Sequence, residues 1–255
     1  MPITTIPNAL APVMTSQYLH RPRALFVLRR RPDVSQKAFE QALCDWRRQK
    51  KFGAGIIAQA GAAMVEDQEI INGFFRPGGV EVMAIDGYVS LDVASYDPIP
   101  SDFETLLKAA DGCLDTLKDV IVPAESIAYA GISNLGIPGV APISMIMILD
   151  RVKGLTLEQY NEWWATPHGD DHRRLNLTQI GYYQIHVAPE FNALAAKAAG
   201  VATTERCIVD IMYLARLKDA FSNLDPASEE ARAFNIDIGA HVSMATVSGS
   251  FMQEL

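Results

Sequence analysis

The chain has 255 residues, 49% hydrophobic and 20% charged, which is enough apolar mass for a full buried core and excludes a disordered or collagen-like chain. Twenty-two Lys and Arg against 30 Asp and Glu give a net charge of −8, which disfavours a phosphate-binding face, so nucleic acid is not an expected partner. The longest apolar runs, such as Ile143 to Leu149 and Ile56 to Val65, fall far short of the roughly 20 residues of a membrane-spanning helix, so no membrane association is expected.

Residues 1–20 lack a basic n-region and a continuous apolar stretch, and their prolines suit an extended arm; a cytoplasmic protein is expected. Ala24 to Arg29 reads as a strand closed by Pro32. Ser35 then caps a helix with Ala38, Phe39, Ala42, Leu43 and Trp46 at helical spacing. Gly55 to Val65 and Val80 to Ser95 read as an antiparallel pair, Ser101 to Leu117 as a helix and Ser126 to Ser133 as a strand, before a Gly/Pro-rich linker at 136–142. The order then restarts: strand Ile143 to Arg151, helix Thr156 to Ala165, strand Gly181 to Ala188, helix Glu190 to Ala199, strand Cys207 to Leu217, helix Lys218 to Phe234 broken near Pro226, and a last strand from His241 to Phe251.

Both halves read β-α-β-β-α-β. Ser35, Phe39 and Leu43 recur as Thr156, Tyr160 and Trp164 at a constant interval, and Asp92 has an apparent counterpart in Asp210. The expected fold is α+β: two tandem ferredoxin-like units, 21–135 and 143–255, whose sheets pack into a barrel enclosing a pocket. Cys44, Cys113 and Cys207 are odd in number and widely spaced, so they suggest small buried hydrophobes rather than a disulfide or zinc framework.

Several residues could carry chemistry. His168 follows Pro167 and precedes Gly169, where a loop would aim it into the barrel mouth; a helix-end cap on the C-terminal dipole is the alternative. Tyr182, Gln184 and His186 share one strand face against Tyr183, Ile185 and Val187, so the polar face lines a pocket or meets solvent. Asp210 interrupts an apolar strand and must have a raised pKa or a charged partner. His168 and His172 are four apart, yet Pro167 and Gly169 argue against a regular helix and no third ligand is evident, so no metal is expected; Asp171 is a candidate orienter of an imidazole. Trp163 off the main aromatic stripe, Tyr183, His172, Met147 and His241 at the start of the last strand are the substrate-binding candidates, and the strand methionines Met145, Met212 and Met244 are a deformable apolar lining or ordinary core. The first half has no histidine after its helix, where RRQKKFG stands, so a single site from the second half is expected.

The run MIMILDRVKGLTLEQYNEWWATPHGDDHRRL, with GYYQIHVAP and CIVDIMYLARLKDAF, resembles the EthD-like branch of the dimeric α/β-barrel superfamily. It covers the second half well and the first only by topology. The resemblance places the family histidine at His168. It implies a choice among isomerases, polyketide cyclases, dehydratases, decarboxylases, cofactor-free monooxygenases and heme enzymes, which fold alone does not make. The expected function is cofactor-independent acid–base catalysis, a lyase or isomerase acting on a small hydrophobic oxygenated substrate such as a phenol, lactone or polyketide-like molecule. His168 would serve as base or acid, with His186, Tyr182 and Asp210 assisting. The alternatives are a non-catalytic small-ligand-binding protein and a heme- or oxygen-using oxidoreductase with His168 or His186 as axial ligand. Family members commonly associate, which implies a homodimer, although two tandem units would satisfy their sheet faces within one chain.

Overall fold

The computed structural model describes residues 3–64, 84–175, 180–206, 208–217, 225, 227–243 and 246–255. Among these, eight antiparallel strands close into one barrel: β1 (Leu19–Leu28), β2 (Ile56–Ala63), β3 (Gly87–Val93), β4 (Ile127–Ile137), β5 (Ile143–Leu149), β6 (Gly181–Val187), β7 (Ile208–Leu214) and β8 (Ser248–Glu254). Around the barrel the order is β1-β3-β2-β8-β5-β7-β6-β4, so the first four strands and the last four each form a contiguous block. Closure leaves no exposed sheet edge.

Alternation along the strands sorts side chains to the two faces. On β1, Ala24, Phe26 and Leu28 face outward and pack on Phe39, Leu43 and Trp46 of the helix Gln36–Gln49. Leu25 and Val27 face inward, in one cluster with Tyr129, Ile146, Ile185 and Tyr213 from strands all round the barrel. The Ser35 hydroxyl accepts from the Ala38 amide, and Thr156 with Gln159 forms a reciprocal capping box, so both helix starts lie where the sequence places them.

The seam between the two blocks is tight at Gly131 of β4, opposite Val187 of β6. A Cβ there would lie 2.0 Å from the His186 carbonyl oxygen. Gly131→Ala is therefore expected to cost about 1–3 kcal/mol through backbone displacement, read as a lower urea midpoint at unchanged slope.

Several expectations are corrected. The N-terminal segment is not an extended arm: Asn8–Leu10 and α1 (Ala11–Met14) are short helices, and Leu10 and Val13 are buried. Proline at a first helical position starts a helix rather than preventing one. The strand β1 begins at Leu19, and β4 runs through a bulge to Ile137, two residues into the expected linker. The helix Pro100–Ala110 is shorter than expected, with a separate 3₁₀ turn at Asp115–Leu117. The last helix spans Glu229–His241, so His241 ends a helix and does not begin a strand. Most of the expected helix segment 218–228, together with Cys207 and Met244, lies outside the described residues. Cys113 is buried, whereas Cys44 is only half-buried. The Asp92 and Asp210 correspondence also fails. Asp92 pairs with Arg23 on the inward face, whereas Asp210 pairs with Met147 on the outward one.

Candidate functional site

The residues from Thr156 onward build the site. The helix Leu157–Trp163 does not stop before His168; it continues as a π turn over Trp164–His168 and resumes as an α-helix over Gly169–Arg174. Pro167 has no N–H to give, and a widened turn accommodates it without ending the helix. The carbonyls of Trp164 and Ala165 find other donors: Gln184 Nε2 reaches Trp164 O at 2.7 Å, and Asn134 Nδ2 reaches Ala165 O at 3.3 Å. Asp170 takes hydrogen bonds from Gln17 (2.8 Å) and from the Tyr18 hydroxyl, which ties the N-terminal segment to this helix.

The turn places His168 and His172 over the outer face of the second block of strands. His168 therefore does not point into the barrel mouth. The rings of His168 and His172 meet edge-on at 4.6 Å, and His172 stacks flat on Tyr182 at 4.1 Å and 8°. Gln184 Nε2 donates to the Tyr182 hydroxyl at 3.2 Å, and that hydroxyl is hydrogen-bonded to Asp210. Met147 stands directly across the β5–β7 pair from Asp210 and is half-buried, a flexible wall to the site. Met145 and Met212 pack with Tyr182 on the same outward side.

Trp163 closes the other side. Its ring lies 4.7 Å from that of His168 and stacks on His241 at 4.0 Å and 4°, while its Nε1 donates to Asp237 at 2.9 Å. Phe234 stacks on His168 at 5.3 Å and 12°. His168, His172, Tyr182, Asp210, Trp163 and His241 thus form one connected group, with Met147 at its border.

Two candidates lie elsewhere. His186 is screened from this group by Trp164, whose ring is 4.5 Å away, and its Nδ1 pairs with Asn161 Oδ1 at 2.9 Å. Tyr183 faces the barrel interior, where Arg23 lies 4.9 Å over its ring. Asp171 orients no imidazole; it pairs with Arg174 at 2.9 Å. Asn134, Phe234 and Asp237 join the site without having been singled out from sequence. Gln184 was legible as part of the polar strand face, whereas Phe234 and Asp237 required knowing that their helix runs to His241.

Burial sets the protonation states. Tyr182, Gln184 and His186 are all fully buried, so this face does not meet solvent. Burial, with His172 and His241 nearby, drives the His168 pKa well below the ordinary imidazole value, and burial takes His172 down to about 3. Burial pushes the Asp210 carboxyl up to about 8, against the hydrogen bond from Tyr182. At neutral pH the imidazoles are free bases and the carboxyl is an acid. His168 Nδ1 and Asp210 Oδ1 are buried without a hydrogen-bond partner, as is His186 Nε2, a costly arrangement that a ligand would relieve.

These states fix a pH dependence. An imidazole lowered from 6.5 contributes stability above 6.5 that is lost as pH falls towards 3. A carboxyl raised from 3.8 to about 8 contributes stability below 3.8 that is lost as pH rises through 8. Of these groups only Asp210 acts between neutrality and pH 8, and its contribution falls there. In Asp210→Asn that decline is expected to disappear from thermal midpoints taken across this range; an unchanged decline would show that Asp210 is already ionised.

Among the described residues no group of three His, Cys, Asp or Glu converges as metal ligands would. An axial heme ligand must face a slot for the macrocycle. Three rings surround His168, and Trp164 covers His186, so the residues as packed do not fit a heme. No described helix is long and apolar enough to cross a membrane.

No family model and no curated protein matches the chain. Solved structures match in fold. A Fusobacterium nucleatum protein provisionally named a monooxygenase superposes with a TM-score of 0.54 at 7% identity, over 94% of both chains. An anthrone oxidase-like protein gives 0.56 at 9% identity, over 94% of this chain and 92% of its own. A mutant chlorite dismutase from Candidatus Nitrospira defluvii aligns over 96% and 95% at 10% identity, with a TM-score of 0.47. At these identities the likeness establishes the fold alone: a mixed α+β chain with an eight-stranded antiparallel barrel.

Proposed function

We propose that the chain is an enzyme that removes a proton from a small, largely hydrophobic oxygenated substrate, with no bound cofactor, at the cluster of His168, His172, Tyr182 and Asp210. The observation that carries this reading is the unpaired, buried Nδ1 of His168 and, beyond the rings of His172 and Tyr182, the unpaired Oδ1 of a carboxyl held protonated near neutrality. A base and an acid with divergent environments, a few rings apart, are what acid–base catalysis at pH 7 requires. His168, relayed by His172, takes the proton. Asp210, held by the Tyr182 hydroxyl, donates a hydrogen bond to the oxygen on which negative charge develops. Trp163, Met147 and His241 wall the site, and His186 holds the helix Leu157–Trp163 through Asn161. A phenol, lactone or polyketide-like molecule has the acidic hydrogen and the adjacent oxygen this chemistry needs, and elimination, decarboxylation or isomerisation follows from the anion. The EthD-like relationship and the tandem arrangement of 21–135 and 143–255 belong to the same reading, supported by the contiguous strand blocks.

The monooxygenase and anthrone oxidase-like names of the structural neighbours favour a second reading with the same first step. An electron-rich carbanion from an activated CH2 group can combine with dioxygen, and the hydroperoxide loses water to leave a carbonyl. The CH2 group and O2 become C=O and H2O, with no further reductant. Incubation of the purified protein with phenols, lactones and anthrones, with and without air, tests both. A product of equal mass, or lighter by water or carbon dioxide, supports the first reading. An air-dependent gain of one oxygen and loss of two hydrogens supports the second. Ligand bound and recovered unchanged, or a Soret band in the protein, overturns both.

A further inference from the structure

The barrel interior holds a second polar cluster, on the opposite face of the sheet from the histidines. Arg21 and Arg23 alternate with Leu25 along the inward side of β1, and Arg23 lies directly opposite Asp92 of β3. Arg23 is fully buried and gives both Nε and Nη2, the latter at 2.6 Å, to the Asp92 carboxylate. Arg21, 7% exposed, reaches the same Oδ2 at 3.2 Å. Two guanidiniums therefore share one carboxylate, and Arg21 Nε and Arg23 Nη1 are buried without partners.

The other interior acid, Glu254, is engaged by the hydroxyls of Tyr88 at 2.6 Å and Ser144 at 2.5 Å. Burial raises its pKa, against those hydroxyls and the charge of Arg23, which lower it. Buried guanidinium N–H groups left without an acceptor are costly unless a ligand or water meets them. The cluster lies at the end of the barrel where β1 starts and β3 ends. There the apolar side chains of Leu19, Ile57 and Tyr96 are 50%, 39% and 47% exposed, and the Tyr96 ring centre is 6.0 Å from the Arg21 guanidinium carbon. Deeper along β1 the inward residues Leu25 and Val27 are apolar.

We propose that this barrel mouth is a second binding site, separate from the histidine cluster, for an amphipathic monocarboxylate: the carboxylate accepts from Arg21 Nε and Arg23 Nη1, and the apolar body rests on Leu19, Ile57 and Tyr96. A planar carboxylate suits guanidinium donors, and it supplies acceptors to the two nitrogens that lack them. Calorimetric titration of the full chain with octanoate and with uncharged octanamide tests this. Octanoate is expected to bind at least about tenfold more tightly than octanamide, the ratio set by a charge-assisted hydrogen bond. Arg21→Gln brings octanoate down to the octanamide level. Leu19→Asp, at a half-exposed position, weakens octanoate without moving the thermal midpoint. His172→Phe, on the other face of the sheet, leaves octanoate affinity unchanged. No octanoate binding, equal affinity for the two probes, or octanoate affinity untouched by both Arg21→Gln and Leu19→Asp overturns the proposal and assigns the buried nitrogens to water. Because the outer site plays no part in these readouts, their failure leaves the acid–base reading intact.

Discussion

His168→Ala is expected to lower turnover of an identified substrate by about 10²–10⁴-fold, the usual contribution of a positioned base, with a far smaller change in KM. The ring it removes touches Trp163, His172 and Phe234, so a cavity opens among them and some stability is lost. His172→Phe separates the two effects: the ring stacked on Tyr182 is retained, and the nitrogens that relay the proton are not. A folded His172→Phe protein with a slow kcat supports the relay. A His168→Ala protein with unchanged kcat removes the cluster from the chemistry.

Asp92→Ala has the largest expected effect on stability. It strands Arg23, fully buried, and Arg21, nearly so, without the carboxylate they share. Removing one partner of a buried ion pair typically costs about 3–5 kcal/mol. Urea denaturation should show the loss as a lower midpoint. Arg21→Gln and Arg23→Met combined with Asp92→Leu remove all three charges and should recover most of it, since uncharged side chains carry no such desolvation cost. A loss of less than about 1 kcal/mol in Asp92→Ala would mean that water or another anion already neutralises the arginines.

The two helix caps at Ser35 and Thr156, the strand periodicities and the polar face of Tyr182, Gln184 and His186 were legible in sequence because each depends on neighbours a few residues away. Other features were misread where a local rule had an unforeseen local solution. Pro167 predicts a helix end, yet the chain widens into a π turn, and Gln184 and Asn134, from two strands, donate to the carbonyls of Trp164 and Ala165 within it.

By itself, then, the sequence determined most of the strands and helices after residue 20, and that Asp210 and the second-half histidines are set into apolar surroundings. Only the tertiary structure decided which side of the sheet each group serves. Closure of the barrel sends Arg23, Asp92 and Tyr183 inward and His168, His172, Tyr182 and Asp210 outward beneath the helices, and it separates His186 from them behind Trp164. Alternation tells a residue from its neighbour, but not which face is inside. That depends on which face the helices cover, a contact between segments far apart in the chain.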